Sequence, residues 1–210
     1  MKTSQKIITV YITLIIGSIF FLVIDASIKA KNIHKNEIIT LPPFSVIVAE
    51  MDADVHIIQS DSNYVALEKK GEIMPDIKLF NVINDTRHIY SGARMFINCN
   101  KLKSIIGNHA FWTGIDKFNT DSLKIDLSGG KFYFNSEDEM LKIDYIDLTT
   151  SDSAFVRFQL IENKRININA TDKSNIELLG FYDEISGILK RKSKLKNDNN
   201  YRILHLERVE

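Results

Sequence analysis

The sequence Leu123-Lys124-Ile125-Asp126-Leu127, Ser128-Gly129-Gly130-Lys131 and Phe132-Tyr133-Phe134 contains the pattern that decides the fold. Apolar and polar residues alternate on both sides of a small, polar turn, which is typical of two β-strands joined by a turn. The same pattern returns at 146–158 and 166–178. The turns are spaced by 22, 22, 21 and 19 residues when they are marked by Gly107, Gly129, Ser151, Asp172 and Arg191. A period near twenty predicts stacked coils that bury their apolar faces against one another, and therefore a β-solenoid from Leu102 to about Asn197.

The region before this repeat also favours β-structure. Leu41-Pro42-Pro43 stops any preceding helix, because proline fixes its own backbone angle and restricts the residue before it. Alternating runs at 44–48, 53–58 and 65–68 then predict three strands, and 71–100 is the least regular part of the chain. Since no helical period extends beyond about two turns, we predict one all-β domain over 41–210.

The N-terminal segment predicts a membrane-spanning helix. The 18 residues from Ile7 through Ile16 to Ile24 carry no charge, and a helix of that length spans roughly 27 Å, close to the thickness of the bilayer core. A buried core helix is the alternative, but such a helix seldom lacks a polar stripe. Residues 1–25 are therefore interpreted as a membrane anchor or a cleavable signal segment, and the polar residues 26–40 as a juxtamembrane spacer.

Charge and cysteine content exclude several classes of protein. The 210-residue chain has 27 basic and 27 acidic residues, so it offers no excess positive charge to a nucleic acid. The single cysteine, Cys99, cannot form an internal disulfide. Its apolar neighbours indicate a buried structural thiol rather than a nucleophile, which would need a partner base.

The sequence contains no recognisable metal or catalytic motif. Its five histidines are scattered, without an H-x-H pair or an H-E-x-x-H motif. His56 alternates with Val55 and Ile57, which predicts a solvent-facing strand residue. We therefore expect no metal, no cofactor and no catalytic residue.

Outward carboxylates leave an enzymatic alternative open. Asp126, Asp144 and Asp147 occupy outward positions of successive strands, and stacked strands lie about 4.8 Å apart, so that carboxylates could approach the spacing used by glycosidases. Ordinary alternation also places polar residues outside, next to neighbours such as Lys124 and Lys142. A carbohydrate-acting enzyme is thus the second hypothesis.

Aromatic residues suggest a binding surface. Tyr133 should point away from Phe132 and Phe134, and Phe155 and Arg157 should share that outer side. Exposed aromatic residues on repeat surfaces are common in carbohydrate and protein binding, although solenoid faces also pack against their own loops. Trp112 is interpreted either as a cap over an open end of the stack or as part of a recognition rim. The candidate ligand-binding residues are therefore Tyr133, Phe155, Arg157 and Trp112.

Three segments carry a resemblance to a known family. They are Leu41-Pro42-Pro43-Phe44, the strand Asp54-Val55-His56-Ile57 with Gln59-Ser60-Asp61 after it, and Ser122 to Gly130. They resemble the head GIN domain family of putative autotransporter adhesins, found in envelope proteins of Bacteroidetes-type bacteria. The resemblance covers roughly Leu41 to the C-terminus and implies a single-stranded right-handed β-helix that is exported across the inner membrane. Only one coil here has the family's Gly-Ser-rich turn.

The resulting expectation is a non-enzymatic binding or structural module of the bacterial cell envelope, with an adhesin-like role. The anchor would place the domain 41–210 in the periplasm, or at the surface or outside the cell if the N-terminal segment is cleaved. The expected partners are the membrane, through the N-terminal helix, and a glycan or another envelope protein. The sequence indicates neither the ligand nor the oligomeric state.

Overall fold

The computed structural model describes residues 37–50, 53–67, 80–83, 85–89, 94–116, 118–135, 141–198 and 200–210. Every helix or strand found in these residues is a β-strand, which confirms the predicted all-β class. None of these residues belongs to a helix long and apolar enough to cross a bilayer. The apolar run Ile7–Ile24 and most of the predicted spacer lie outside the described residues.

The described strands belong to one hydrogen-bonded network of sixteen strands. They are β1 (Glu37–Thr40), β2 (Val46–Ala49), β3 (Asp54–Gln59), β4 (Tyr64–Leu67), β5 (Phe80–Ile83), β6 (Thr86–Ile89), β7 (Arg94–Cys99), β8 (Ser104–Asn108), β9 (Phe111–Asp116), β10 (Asn119–Ser128), β11 (Lys131–Asn135), β12 (Leu141–Ser151), β13 (Phe155–Ala170), β14 (Asn175–Lys190), β15 (Lys194–Asn197) and β16 (Tyr201–Val209).

Parallel pairing arranges these strands in two series that enclose a common core. The first face runs β6, β2, β8, β10, β12, then the C-terminal halves of β13 and β14, and β16. The second face runs β7, β3, β9, β11, then the N-terminal halves of β13 and β14, and β15. One strand of each face forms a rung. Because consecutive rungs pair in parallel, the chain winds as a β-solenoid, as the repeat predicts.

The register of the first face gives the true period. The paired residues Ser104, Lys124, Asp147, Asn167, Ser186 and His205 follow one another in successive rungs. Their spacings of 20, 23, 20, 19 and 19 residues, obtained by subtracting these residue numbers, agree with a period near twenty. Two of the turn markers are displaced, because Gly107 and Ser151 belong to the strands β8 and β12.

The corner between the two faces is built from residues with positive φ. One or two such residues occur at this corner in each of five rungs, and they are His109, Gly129 with Gly130, Asp152 with Ser153, Asp172 with Lys173, and Arg191. Three of the turns are closed by bonds in which the amides of Ala154, Ser174 and Ser193 donate to the carbonyls of Ser151, Thr171 and Lys190 respectively. Glycine, aspartate and asparagine tolerate this left-handed backbone better than other residues. The later corners therefore keep the geometry of Gly129-Gly130 without glycine.

The N-terminal rungs do not stack in chain order. β2 pairs with both β6 and β8, and β3 pairs with both β7 and β9. The rung β2–β3 therefore lies between the later rungs β6–β7 and β8–β9. Antiparallel strands cover this end of the solenoid: β4 pairs with β7, β1 with β4, and β5 with β6. The three strands predicted at 44–68 exist, but they do not form a separate opening layer.

The core is formed by the inward residue of every second position. Phe132, Phe134 and Phe158 are fully buried, and their ring centroids lie 5.3–6.2 Å apart. Complete burial of one such side chain contributes roughly 1.5–3 kcal/mol to stability. In the column of Phe132, the successive rungs contribute Trp112, Val156, Ile176 and Leu195, so each rung supplies the interior of its neighbours.

Candidate binding surface

Three aromatic side chains form a ladder across the outer side of the second face. Phe111, Tyr133 and Phe155 lie on β9, β11 and β13, and we call them the aromatic strip. The ring centroid of Tyr133 is 5.8 Å from that of Phe111 and 5.6 Å from that of Phe155. Both rings are inclined to Tyr133, as aromatic pairs prefer. The strip spans three consecutive rungs.

Strand alternation explains why these rings point outward. Phe132 and Phe134 are buried on either side of Tyr133, which is only half-buried. Lys131 pairs with both Phe111 and Phe155, so Tyr133 reaches them diagonally from a position two residues further along β11. Such diagonal neighbours lie within reach of aromatic side chains. The predicted outward direction of Tyr133 and Phe155 is therefore observed.

Arg157 extends the aromatic strip with a fixed charge. Its guanidinium carbon lies 5.6 Å from the ring centroid of Phe155 and 6.0 Å from that of Tyr133. Its Nη2 and Nε atoms donate to Oε2 of Glu177 over 2.6 and 2.7 Å. Arginine held in this way is an oriented donor beside an apolar platform. The surface thus combines stacking area with hydrogen-bonding groups.

Trp112, the fourth predicted candidate, lies in the core. Its side chain is 1 % exposed, and its ring centroid is 6.0 Å from that of Phe132. Nε1 has no hydrogen-bond partner among the described residues. Trp112 therefore neither caps an open end of the stack nor belongs to a recognition rim, and it is not part of the binding surface. Phe111, the residue before it, occupies the outer side and was missed.

The outward carboxylates do not converge on one point. Oδ2 of Asp144 is 2.7 Å from Nζ of Lys164, and this hydrogen bond, with the carboxylate charge, raises the pKa of Lys164. Oδ1 of Asp147 accepts a 3.1 Å hydrogen bond from Nδ2 of Asn167. Asp126 pairs in register with Thr149 rather than with another acid. All three aspartates lie on the first face, away from the aromatic strip.

A cleft lies on the opposite edge of the solenoid from the corner with positive φ. It has a volume of about 600 Å³ and is lined mainly by charged and aromatic residues of four successive rungs. Its charges form pairs: Lys164 with Asp144, Lys142 with Glu162 at 3.8 Å, and Arg202 with Asp183 at 3.3 Å. Asp144, Glu162 and Asp183 are therefore each engaged in an ion pair with a neighbouring cation.

The remaining chemical candidates have structural roles. His56 points away from the buried Val55 and Ile57, as predicted, and its ring centroid is 5.4 Å from that of Phe96. Cys99 is buried, which raises the pKa of its thiol to about 12. Among the described residues, no group of three histidine, cysteine, aspartate or glutamate side chains could hold a metal ion.

Comparison with known proteins gives structural neighbours only. No protein-family model matches the chain, and no curated protein matches it. A crystal structure from Parabacteroides distasonis, described as a putative lipid binding protein, aligns with 83 % of this chain and 78 % of its own, with a TM-score of 0.68 and 14 % identity. A putative adhesin from Bacteroides fragilis aligns with 83 % of this chain and 93 % of its own, with a TM-score of 0.53 and 13 % identity. At such identities the likeness concerns the fold.

Proposed function

We propose that the chain is a non-enzymatic, adhesin-like binding module of a bacterial cell envelope that recognises a glycan through the aromatic strip. The single observation that carries this proposal is the ladder of Phe111, Tyr133 and Phe155 with Arg157 beside it. Aromatic rings on rigid rungs offer flat apolar area at little cost in conformational entropy, and sugar rings stack on such area while their hydroxyl groups bond to polar neighbours.

Several further features support the same proposal. The outward aspartates are dispersed over the first face, and Asp144 and Asp147 are bonded to neighbours, which favours binding over carbohydrate cleavage. The fold is shared with proteins from Bacteroidetes. The proposal includes the resemblance to the GIN domain family and a right-handed winding of the solenoid. It also includes the membrane helix at Ile7–Ile24, which would place the domain in the periplasm, or outside the cell after cleavage.

A glycan array tests this function. The full chain, held in lipid nanodiscs, is screened, and each positive glycan is titrated against variants. We expect Tyr133→Ala combined with Phe155→Ala to weaken glycan binding by about tenfold or more, since stacking of a sugar on one aromatic ring contributes on the order of 1 kcal/mol. Tyr145→Ala is the matched control, because Tyr145 is an exposed aromatic residue on the first face.

The outcomes separate the proposed function from its alternatives. Equal loss in the Tyr145 control, or unchanged binding in the double variant, would exclude the aromatic strip as the site. Turnover of a bound glycan that Asp126→Asn or Asp147→Asn abolishes would establish the carbohydrate-acting enzyme instead. Binding to empty nanodiscs that the double variant loses would indicate a lipid ligand, the activity named for the neighbour from Parabacteroides distasonis.

A further inference from the structure

The two ends of the solenoid differ in how their strand edges are covered. At one end, the antiparallel strands β1, β4 and β5 lie against the rung β6–β7. At the other end, β16 pairs with β14 along one edge, and no described strand pairs with its second edge. An open strand edge is a template for another chain. β16 is nine residues long, which makes it a substantial template.

The last rung also leaves apolar side chains uncovered. Leu204 continues the inward column of Ile185, yet Leu204 is 40 % exposed whereas Ile185 is 0 % exposed. Ile203 and Val209 are exposed on the outer side of the same strand. Proteins normally protect an edge with short strands and lysine. β15 follows this rule, with four residues that include Lys194 and Lys196. β16 is longer and has no lysine, and its charged residues are Arg202, Glu207 and Arg208.

We propose that β16 pairs antiparallel with β16 of a second copy of this chain, about a two-fold axis through Leu206. Pairing about a two-fold axis normal to the sheet keeps inward residues opposite inward residues only if the axis passes through a residue. With the axis at Leu206, Glu207 lies opposite His205 of the second copy, and Ile203 lies opposite Val209. Arg202 then lies opposite Glu210.

Charge complementarity selects this register over its neighbour. An axis at His205 would place Arg202 opposite Arg208 and Ile203 opposite Glu207, so that like charges and mismatched side chains would meet. Opposite charges and apolar pairs across an antiparallel ladder are stabilising, and like charges are destabilising. In the proposed register Arg208 lies opposite Leu204, where the aliphatic part of an arginine covers apolar surface while its charged head stays in water.

Cysteine cross-linking tests both the association and the register. In an antiparallel pair, residues directly opposite have Cα atoms roughly 4.5–5.5 Å apart, which a disulfide can span. We expect Leu206→Cys in the full chain, in nanodiscs or detergent, to form a disulfide-linked dimer with oxidised glutathione. His205→Cys should not form such a dimer, because residue 205 of one copy lies opposite residue 207 of the other and is only a diagonal neighbour of residue 205. The wild type is the control, since its only cysteine, Cys99, is buried.

A second variant keeps the proposal testable if cysteine disturbs folding. Ile203→Lys places a lysine beside Glu184 of the same chain, so we expect the solenoid to fold, but it puts a charge opposite Val209 of the second copy. Analytical ultracentrifugation should show the wild type as a dimer. The dissociation constant of the variant dimer should be about tenfold or more higher than that of the wild type. A monomeric wild type, or cross-linking through residue 205 rather than 206, would overturn the proposal.

Discussion

At the scale of single residues, β11 carries aromatic side chains with opposite roles. Phe132 is fully buried between the rings of neighbouring rungs, whereas Tyr133 lies on the outer side. We expect Phe132→Ala to lower the free energy of unfolding by about 3–5 kcal/mol, because it removes a buried ring and leaves a cavity. Tyr133→Ala should cost about 1.5 kcal/mol or less, the value of its aromatic contacts. Urea denaturation of both variants measures the difference, and equal losses would contradict the assigned faces.

Cys99 reports on the opening of the core. Burial raises the pKa of its thiol to about 12 from an ordinary value of 9.0, so at pH 8 we expect the folded chain to resist a thiol reagent that reacts promptly once urea unfolds it. The neutral thiol contributes stability below pH 9, and this contribution is lost as the pH rises towards 12, because the unfolded chain ionises first. Cys99→Ala should therefore show a shallower fall of unfolding free energy over this range. Prompt labelling of the folded chain would contradict the burial of Cys99.

The sequence alone predicts which side of a strand many residues occupy, but not the register between strands. Alternation within 131–134 and 155–158 was sufficient to place Tyr133, Phe155 and Arg157 outside, since period-two patterning is a local property. Phe111 and Trp112 form an adjacent pair in which either residue could face the core. The pairing of Trp112 with Phe132 shows that Trp112 is the residue that faces the core. This pairing joins β9 to β11 of the next rung, so it cannot be read from the local sequence.

At the scale of elements, the corners determine where each rung ends. Lys173 has a φ of 66° at the second position of its turn. We expect Lys173→Val to destabilise the chain by about 1–3 kcal/mol, because β-branched residues are strained in the left-handed region. Lys173→Gly should change stability by less than about 1 kcal/mol, since glycine adopts that region freely. Thermal unfolding of both variants checks this.

A matched substitution in a strand isolates the effect of the corner. Lys194→Val removes the same charge from an exposed position of β15, where extended backbone suits valine. We expect this control to be close to neutral. If Lys194→Val destabilised the chain as strongly as Lys173→Val, loss of lysine rather than backbone strain would be the cause. The backbone geometry of the corners would then not determine where each rung ends.

At the scale of the whole molecule, the period was predictable and the order of the first rungs was not. From Ser104 onward, each rung pairs with the one about twenty residues away, so a repeat in the sequence reflects contacts directly. Val46 pairs with Ser104, 58 residues further along by subtraction of the two numbers. Such a pairing is set by packing of remote segments, which leaves no periodic signal. The insertion of β2–β3 between later rungs could therefore be seen only in the structure.

The two ends of the solenoid also determine what a pair of copies can do. β1 lies at the covered end, and β16 lies at the open end of the strand order. Pairing of two chains through β16 would therefore make one longer rod with the two β1 strands at its far ends. If Ile7–Ile24 anchors each copy, as proposed, such a rod holds its two anchors at opposite ends, so copies on two separate liposomes can join end to end.

We expect liposomes that carry the full chain to cluster, and liposomes that carry Ile203→Lys to remain dispersed, because a charge opposite Val209 of the second copy disrupts the antiparallel pair. Dynamic light scattering follows the clustering, and Tyr145→Ala serves as a control that should cluster like the wild type. Flotation of the liposomes measures anchoring independently of pairing. Flotation without clustering, in a chain that ultracentrifugation shows to be dimeric, would place both anchors in one membrane and contradict the end-to-end geometry. Failure to float would refute the anchor and leave the pairing of β16 to be judged by cross-linking alone.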